Sequence, residues 1–220
     1  MTEPTTAPLP HATAVAHLRA ADARMAALIE RSGPCRLPVH DPERVRAQQH
    51  FEGLVSAIVS QQLSSKAAAT ILGRVRALGL DDGGALSPAR LLALPDQTLR
   101  GAGLSGAKTR YVRDLCGRVV ESALPLDRLH ELDDEAVIAS LTAIKGVGRW
   151  TAEMVLMFRL GRQDVLPVDD LGIQKGMTRL FGLRKPPTAE RIEKLARPFQ
   201  PYRSVACWYL WRLNEEPARR

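Results

Sequence analysis

The sequence predicts an all-α protein of about ten short helices. Three observations lead to this prediction. Apolar residues recur at helical spacing through most of the chain, glycine and proline interrupt that pattern at short intervals, and β-like pieces are confined to Val39 and residues 165–168. Apolar residues make up 45% of the 220 positions, which is enough for a sizeable core.

Local signals bound most of the predicted helices. Gly33 and Pro34 end the first helix, and Ser64 and either Asp133 or Asp134 are suited to cap later ones. The predicted helices are residues 17–31, 51–60, 64–78, 87–94, 96–101, 106–123, 133–144, 148–160, 170–181, 188–196 and 201–214.

The charge of the chain favours a polyanion as partner. Lysine and arginine number 31 against 24 acidic residues, a formal net charge of +7. The longest apolar runs are too short to cross a membrane, so we expect no membrane association. Residues 1–10 lack the pattern of a signal peptide and are expected to form a flexible tail.

The three cysteines are widely spaced, at Cys35, Cys116 and Cys207. They form no Cys-x-x-Cys or Cys/His cluster, so we expect neither a zinc site nor an iron–sulfur cluster. We expect buried free thiols in a reducing compartment, which predicts a cytoplasmic protein.

A glycine turn separates two predicted helices within residues 141–152. Gly146 and Gly148 allow a tight turn and let another backbone approach closely. The N–H groups at the start of the next helix suit a phosphate oxygen, and Lys145 and Arg149 add positive charge there. Such contacts hold DNA without reading its sequence. An ordinary turn between packed helices is the alternative.

A similar but less regular glycine turn lies at residues 99–108, where Ser105 and Lys108 are the candidate contacts.

About twenty residues after the turn at Gly146 and Gly148, Asp169 and Asp170 begin another predicted helix. Both aspartates are suited to cap that helix, and capping alone would explain them.

Together these motifs resemble the helix-hairpin-helix DNA glycosylase superfamily, and most of all its 3-methyladenine DNA glycosylase II branch. The resemblance covers residues 50–214. It implies one domain over residues 11–220, built as two lobes with a cleft between them. Lobe one spans roughly residues 51–165, and lobe two combines the N-terminal helix with the C-terminal helices. It further implies a compact form, without the extra N-terminal β-rich domain of larger members.

The resemblance also implies a reaction. The family's catalytic aspartate lies three residues before an isoleucine, which selects Asp170 through Ile173. Asp169 would then be the helix cap or a supporting carboxylate. Asp170 would stabilise a cationic sugar or activate water, and both roles remain open. Trp150 occupies the position of the lysine nucleophile in strand-nicking members, so the enzyme would be monofunctional, with no cofactor for catalysis.

The same resemblance predicts how damaged double-stranded DNA is held by a monomer. Trp150, Met154 and Trp211 are the candidates for a base pocket, and Gln62, with Leu63 second, for the wedge that fills the gap left by a flipped base. The candidate DNA-binding residues are Gln61, Gln62, Leu63, Ser64, Ser105, Lys108, Lys145, Gly146, Gly148, Arg149 and Thr151.

Backbone carbonyls of the family's hairpin often hold Na⁺ or K⁺, and the matching positions are Thr142, Ile144 and Val147. The expected substrates are alkylated bases of the 3-methyladenine and 7-methylguanine type. The alternatives are a glycosylase for oxidised or mismatched bases, a DNA-binding module without catalysis, and a helical adaptor protein.

Overall fold

The computed structural model describes residues 11–39 and 47–216. The predicted flexible tail, residues 1–10, lies outside these residues. The chain divides into two compact units. The terminal unit contains residues 11–39 and 161–216 of the described chain, and the central unit contains residues 47–160.

The described residues form twelve α-helices, and their only extended pairing is an isolated bridge between Leu80 and Leu86. The prediction of an all-α fold is therefore confirmed. In chain order the helices are α1 (Ala12–Ala21), α2 (Ala23–Ser32), α3 (Ala47–Ser60), α4 (Ser65–Gly79), α5 (Pro88–Ala93), α6 (Asp96–Gly101), α7 (Gly106–Val120), α8 (Asp134–Thr142), α9 (Arg149–Phe158), α10 (Leu171–Phe181), α11 (Ala189–Ala196) and α12 (Arg203–Glu215). Short 3-10 helices cover Leu129–Glu131 and Arg197–Phe199.

The prediction of one helix over residues 17–31 is wrong, because the structure has two helices, α1 and α2, over this region. Asp22 separates α1 from α2 with an extended backbone, at φ −156° and ψ 125°. Its carboxylate accepts the N–H groups of Arg24 and Met25 at 2.8 and 3.3 Å and so caps α2. An aspartate competes well for backbone N–H groups, and this local preference overrides the continuous apolar pattern.

The terminal unit is built around the packing of α10 on α12. Ile173 and Met177 on α10 are fully buried, as are Tyr209 and Leu210 on α12. The two helices approach so closely that a Cβ atom at Gly176 would lie 2.8 Å from the carbonyl oxygen of Leu210. This close packing sets the position of the first turn of α10 relative to the side chains of α12.

The central unit is built around α3, which is buried along most of one face by α4, α7 and α9. Leu54, Val55 and Ile58 are fully buried, and Phe51 is nearly so. The end of α3 leads directly into the turn before α4. The core of this unit therefore determines where that turn is presented.

The three cysteines are free thiols buried in these cores, as predicted. Burial raises the pKa of Cys35 to about 11 and that of Cys116 to about 12, so neither is a thiolate at neutral pH. Across residues 11–39 and 47–216, no helix is long and apolar enough to span a bilayer.

His50 is a buried titratable group on α3, with 3% of its surface exposed. Neither ring nitrogen has a hydrogen-bond partner among the described residues. Burial lowers the pKa of His50, and the positive charge of Arg159 and the ring of His130 lower it further. The folded protein therefore binds a proton at this position less readily than the unfolded chain.

We predict from this shift that the protein loses stability in mild acid. Below about pH 6.5 the unfolded histidine takes up a proton that folded His50 does not, so the free energy of unfolding decreases as the pH falls. The loss has an upper limit of about 1.4 kcal/mol per pH unit. Urea unfolding at pH 7.5 and 5.5 measures it, with His50→Met expected to be less sensitive to acid. The control is His17→Gln, and equal sensitivity of His50→Met and the wild type would contradict the prediction.

Candidate functional site

The glycine turn predicted at residues 145–149 joins α8 to α9 in the central unit. Gly146 has a left-handed backbone, with φ +80°. A Cβ atom at this position would lie 2.2 Å from the ring of Tyr111 on α7, and the N–H of Val147 closes the turn on the carbonyl of Ile144 at 3.1 Å. The backbone conformation and the tyrosine ring beneath the turn thus both require glycine.

Gly148 differs from Gly146, because the fold itself does not require glycine at this position. It is the N-cap residue of α9, has φ −92°, and provides no side-chain cap. A Cβ atom there would meet nothing within 4 Å. The surface over the first turn of α9 is therefore open, and the positive end of the helix dipole lies behind it. This geometry suits a phosphate oxygen that approaches the backbone.

The two cations of the turn have different environments. The side chain of Lys145 is 71% exposed, and its ammonium lies 3.7 Å from Asp114. The guanidinium of Arg149 donates to both carboxylate oxygens of Glu135, at 2.6 and 3.1 Å, and to Glu153 at 3.2 Å. Arg149 therefore forms surface ion pairs with two carboxylates while half of its side chain is exposed, whereas Lys145 is the more exposed of the two cations.

Asp114 on α7 supports the hairpin and was missed by sequence reasoning. Its carboxylate accepts the backbone N–H of Lys145 at 3.0 Å and the Nε–H of Arg118 at 2.9 Å. Burial acts to raise the pKa of Asp114, but these donors outweigh it and hold the pKa below its ordinary value. An aspartate inside a helix gives no local signal of such a contact.

The turn predicted to hold the wedge is tied to the hairpin. The side-chain amide of Gln61 donates to the carbonyl of Gly146 at 2.8 Å. Gln62 is exposed at the tip, with a left-handed φ of +57°, and Leu63 is 40% exposed. Gln61 therefore positions the turn, while Gln62 and Leu63 extend from it.

The structure assigns internal roles to several residues predicted to touch DNA. The ammonium of Lys108 donates to the carbonyls of Val59 and Gln61, both at 2.7 Å, so it holds the turn between α3 and α4. Burial lowers the pKa of Lys108. The hydroxyl groups of Ser64 and Ser105 cap α4 and α7. Lys108 thus reaches from α7 to the end of α3 and has a structural role in addition to the phosphate contact expected of it.

The first turns of α9 contain three further candidates. Thr151 is 7% exposed, so its side chain packs inside the central unit while its backbone N–H belongs to the first turn of α9. Trp150 is 47% exposed, and Met154 lies one helical turn further along, partly exposed. These two candidates for contacting the base therefore share one face of α9.

In the terminal unit, Asp170 is the N-cap of α10. Its Oδ1 atom accepts the backbone N–H of Ile173 at 2.8 Å and the indole N–H of Trp211 at 2.9 Å. Asp169 is exposed and does not cap the helix, so that alternative for Asp169 is wrong. The structure brings the predicted catalytic carboxylate and one predicted base-contacting tryptophan into direct contact.

Two residues that the sequence did not single out support this contact. A Cβ atom at Gly172 would lie 2.7 Å from the ring of Trp211 and 2.9 Å from Oδ1 of Asp170. The side-chain amide of Asn214 donates to the carbonyl of Gly172 at 2.7 Å. Glycine at position 172 is therefore what allows the indole to reach the carboxylate.

A family model and the sequence relatives of this chain agree with one another. A family model described as HhH-GPD superfamily base excision DNA repair protein matches residues 55–201. Alkylbase DNA glycosidase-like protein mag2 of Schizosaccharomyces pombe is 33% identical over 198 residues, which are 90% of this chain and 91% of that protein. DNA-3-methyladenine glycosylase 1 of the same yeast is 33% identical over 201 residues, 90% of this chain and 86% of that protein.

Solved structures agree with these sequence relatives. The S. pombe 3-methyladenine DNA glycosylase Mag1, in complex with abasic DNA, has a TM-score of 0.78 and 33% identity, and the match covers 93% of this chain and 97% of that one. A DNA-3-methyladenine glycosidase from Bacillus halodurans has a TM-score of 0.77 and 41% identity, covering 92% of this chain and 91% of that one.

The two glycines of the hairpin predict opposite mutational effects. Gly146→Ala should destabilise the protein by more than about 1–2 kcal/mol, because it adds a clash with Tyr111 to the cost of a left-handed backbone. Gly148→Ala should change stability by less than about 1 kcal/mol, yet weaken binding to a duplex by about tenfold, because its methyl group stands where a phosphate is expected. Urea unfolding and titration with an abasic duplex at fixed salt measure these effects. Binding of Gly148→Ala as tight as wild type would refute the expected close approach.

Proposed function

The chain belongs to the HhH-GPD superfamily of base excision DNA repair proteins, and we propose that it is a monofunctional DNA glycosylase that removes alkylated bases by hydrolysis. The observation that carries the proposal is the Asp170 carboxylate, held by the backbone of Ile173 and the indole of Trp211. The names of the relatives support alkylated bases, 3-methyladenine among them, as substrates. We extend the proposal to bases of the 7-methylguanine type.

The chemistry explains why an oriented carboxylate is sufficient. Cleavage of the bond between base and sugar develops positive charge on the sugar, and a fixed anion stabilises that charge. One pair of unit charges 4 Å apart contributes about 4 kcal/mol at an effective dielectric of 20, which corresponds to about a thousandfold in rate. An alkylated base already carries positive charge and leaves without a general acid. Asp170 also has the chemistry to orient or deprotonate the attacking water.

Base removal without strand cleavage follows from Trp150. Relatives that also nick the strand carry a lysine nucleophile at this position, and an indole cannot form a Schiff base. The exposed ring of Trp150, with Met154 beside it, offers an aromatic face to a cationic base, an attraction of about 1–2 kcal/mol when desolvated. Trp211 offers a second indole, which already contacts Asp170.

The central unit contains the residues that we propose bind double-stranded DNA. The open N-terminus of α9 at Gly148 receives a phosphate, and the exposed ammonium of Lys145 adds charge. Gln62 enters the gap left by the flipped base, with Leu63 as the alternative wedge. The enzyme acts as a monomer. It works in the cytoplasm, where it associates with the nucleoid if the source is bacterial.

A monovalent cation fits the hairpin chemically. The carbonyls at Thr142, Ile144 and Val147 are neutral oxygen donors, the kind of ligand that hard cations prefer. The carbonyl of Ile144 accepts one N–H, from Val147, and retains a second lone pair. Bound Na⁺ or K⁺ would place a positive charge beside the phosphate that the turn receives.

The central test is Asp170→Asn. Asparagine caps a helix as well as aspartate, so the fold should persist while the negative charge is lost. We expect single-turnover release of 3-methyladenine and 7-methylguanine from methylated duplex DNA to fall about a thousandfold. Asp82→Asn, at an exposed aspartate of the central unit, is the matched control and should retain activity. Full activity of Asp170→Asn would refute the catalytic assignment, and preferential release of 8-oxoguanine by the wild type would refute the substrate class.

A second prediction concerns the hydrogen bond to the carboxylate. Trp211→Phe keeps an aromatic ring but removes the indole N–H, and a hydrogen bond to a charged group contributes about 1.5–3 kcal/mol. We expect kcat to fall about tenfold to a hundredfold while the Kd for abasic DNA stays unchanged. Trp208→Phe on the same helix is the control, and an unchanged kcat in Trp211→Phe would contradict this role.

A further inference from the structure

The start of α10 exposes an apolar side chain beside the proposed catalytic carboxylate. Leu171 follows Asp170 directly and is 79% exposed, whereas Val39, the next most exposed large apolar side chain of the described residues, is 52% exposed. Leucine at the first helical position neither caps the helix nor complements its dipole, and polar or acidic residues suit that position better. Local helix stability therefore does not account for Leu171.

A basic side chain lies on the same face, one turn further along. Lys175 is exposed, and it makes no hydrogen bond or ion pair within the part of the chain that the structure describes. Positions four apart share a helix face, and the backbone rises about 6 Å between them. The buried face of α10 carries Ile173 and Met177 instead. Leu171 and Lys175 thus form one solvent-facing edge, which we name the α10 edge.

We propose that the α10 edge is a second DNA contact, in which Leu171 packs on the sugar of the flipped nucleotide and Lys175 binds a phosphate of the same strand. This inference rests on the proposed function, because Asp170 can act only if that sugar lies against the start of α10. Asp169 is exposed there as well, and its negative charge disfavours a phosphate at the first turn. An apolar contact with the sugar, followed by a cation one turn later, matches this distribution of charge.

The proposed contact of the α10 edge with DNA would contribute to catalysis. Hydrolysis requires the sugar to stay at the carboxylate while the base departs, and correct positioning of reactants contributes strongly to rate. Leu171 would exclude water from one side of the sugar, and Lys175 would hold the strand that carries it. Leu171 is therefore a positioning residue for the reaction, and Lys175 is a residue for affinity.

The experiment compares five variants of the full chain, three for the apolar contact and two for the basic one. Leu171→Ala should lower the single-turnover rate of 7-methylguanine release by about tenfold at unchanged Tm, and Leu171→Met should restore most of the rate. Val39→Ala removes another exposed apolar side chain of the terminal unit and should have no effect. Lys175→Gln should reduce the slope of log K against log salt for an abasic duplex by about 0.9. Lys185→Gln, beyond the other end of α10, should leave that slope unchanged.

The outcomes separate this inference from the proposed function. If the wild type releases 7-methylguanine while Leu171→Ala and Lys175→Gln both behave as wild type, the α10 edge is not a DNA contact. If Lys185→Gln lowers the slope as much as Lys175→Gln does, the contribution is general charge and the site is refuted. If the wild type releases no alkylated base, the proposed function fails. In that case the salt slope on abasic DNA still decides whether Lys175 binds the strand.

Discussion

One oxygen of Asp170 accepts two N–H groups at once, and the geometry of the proposed active site depends on this. The N–H of Ile173 makes the carboxylate the cap of α10, and the indole of Trp211 fixes it from α12. A cap contributes about 1 kcal/mol to stability, so the carboxylate is held in place by the fold itself before any substrate arrives. Such preorganisation is what electrostatic stabilisation of a developing charge requires.

The close packing of α10 on α12 makes this double contact possible. Gly176 lets the two helices approach until backbone and side chain touch, and Gly172 leaves room for the indole beside the carboxylate. Neither glycine has a positive φ, so a turn does not explain them. Their role is the absence of a Cβ atom at a crowded interface, and the position of Trp211 follows from it.

Sequence patterns predicted the helices and the local motifs, because caps, glycine turns and apolar spacing each depend on only a few neighbouring residues. Only the break at Asp22 was missed among the long helical segments, where one cap outweighed the pattern. The supporting residues of the site were not foreseeable in this way. Asp114 reaches Lys145 across 31 positions, and Asn214 reaches Gly172 across 42. Contacts over such separations are determined by the tertiary fold and leave no local signal.

Two charged residues of the predicted DNA-binding motifs also have partners within the protein. Arg149 lies in the motif, yet its charge is balanced by Glu135 and Glu153. Lys108 stands beside the second glycine turn, yet it holds the carbonyls at the end of α3. Both cations therefore stabilise turns of the central unit. Under the proposed function, a phosphate bound by backbone N–H groups depends on the conformation of the turn as well as on nearby charge, and these ion pairs and hydrogen bonds maintain that conformation.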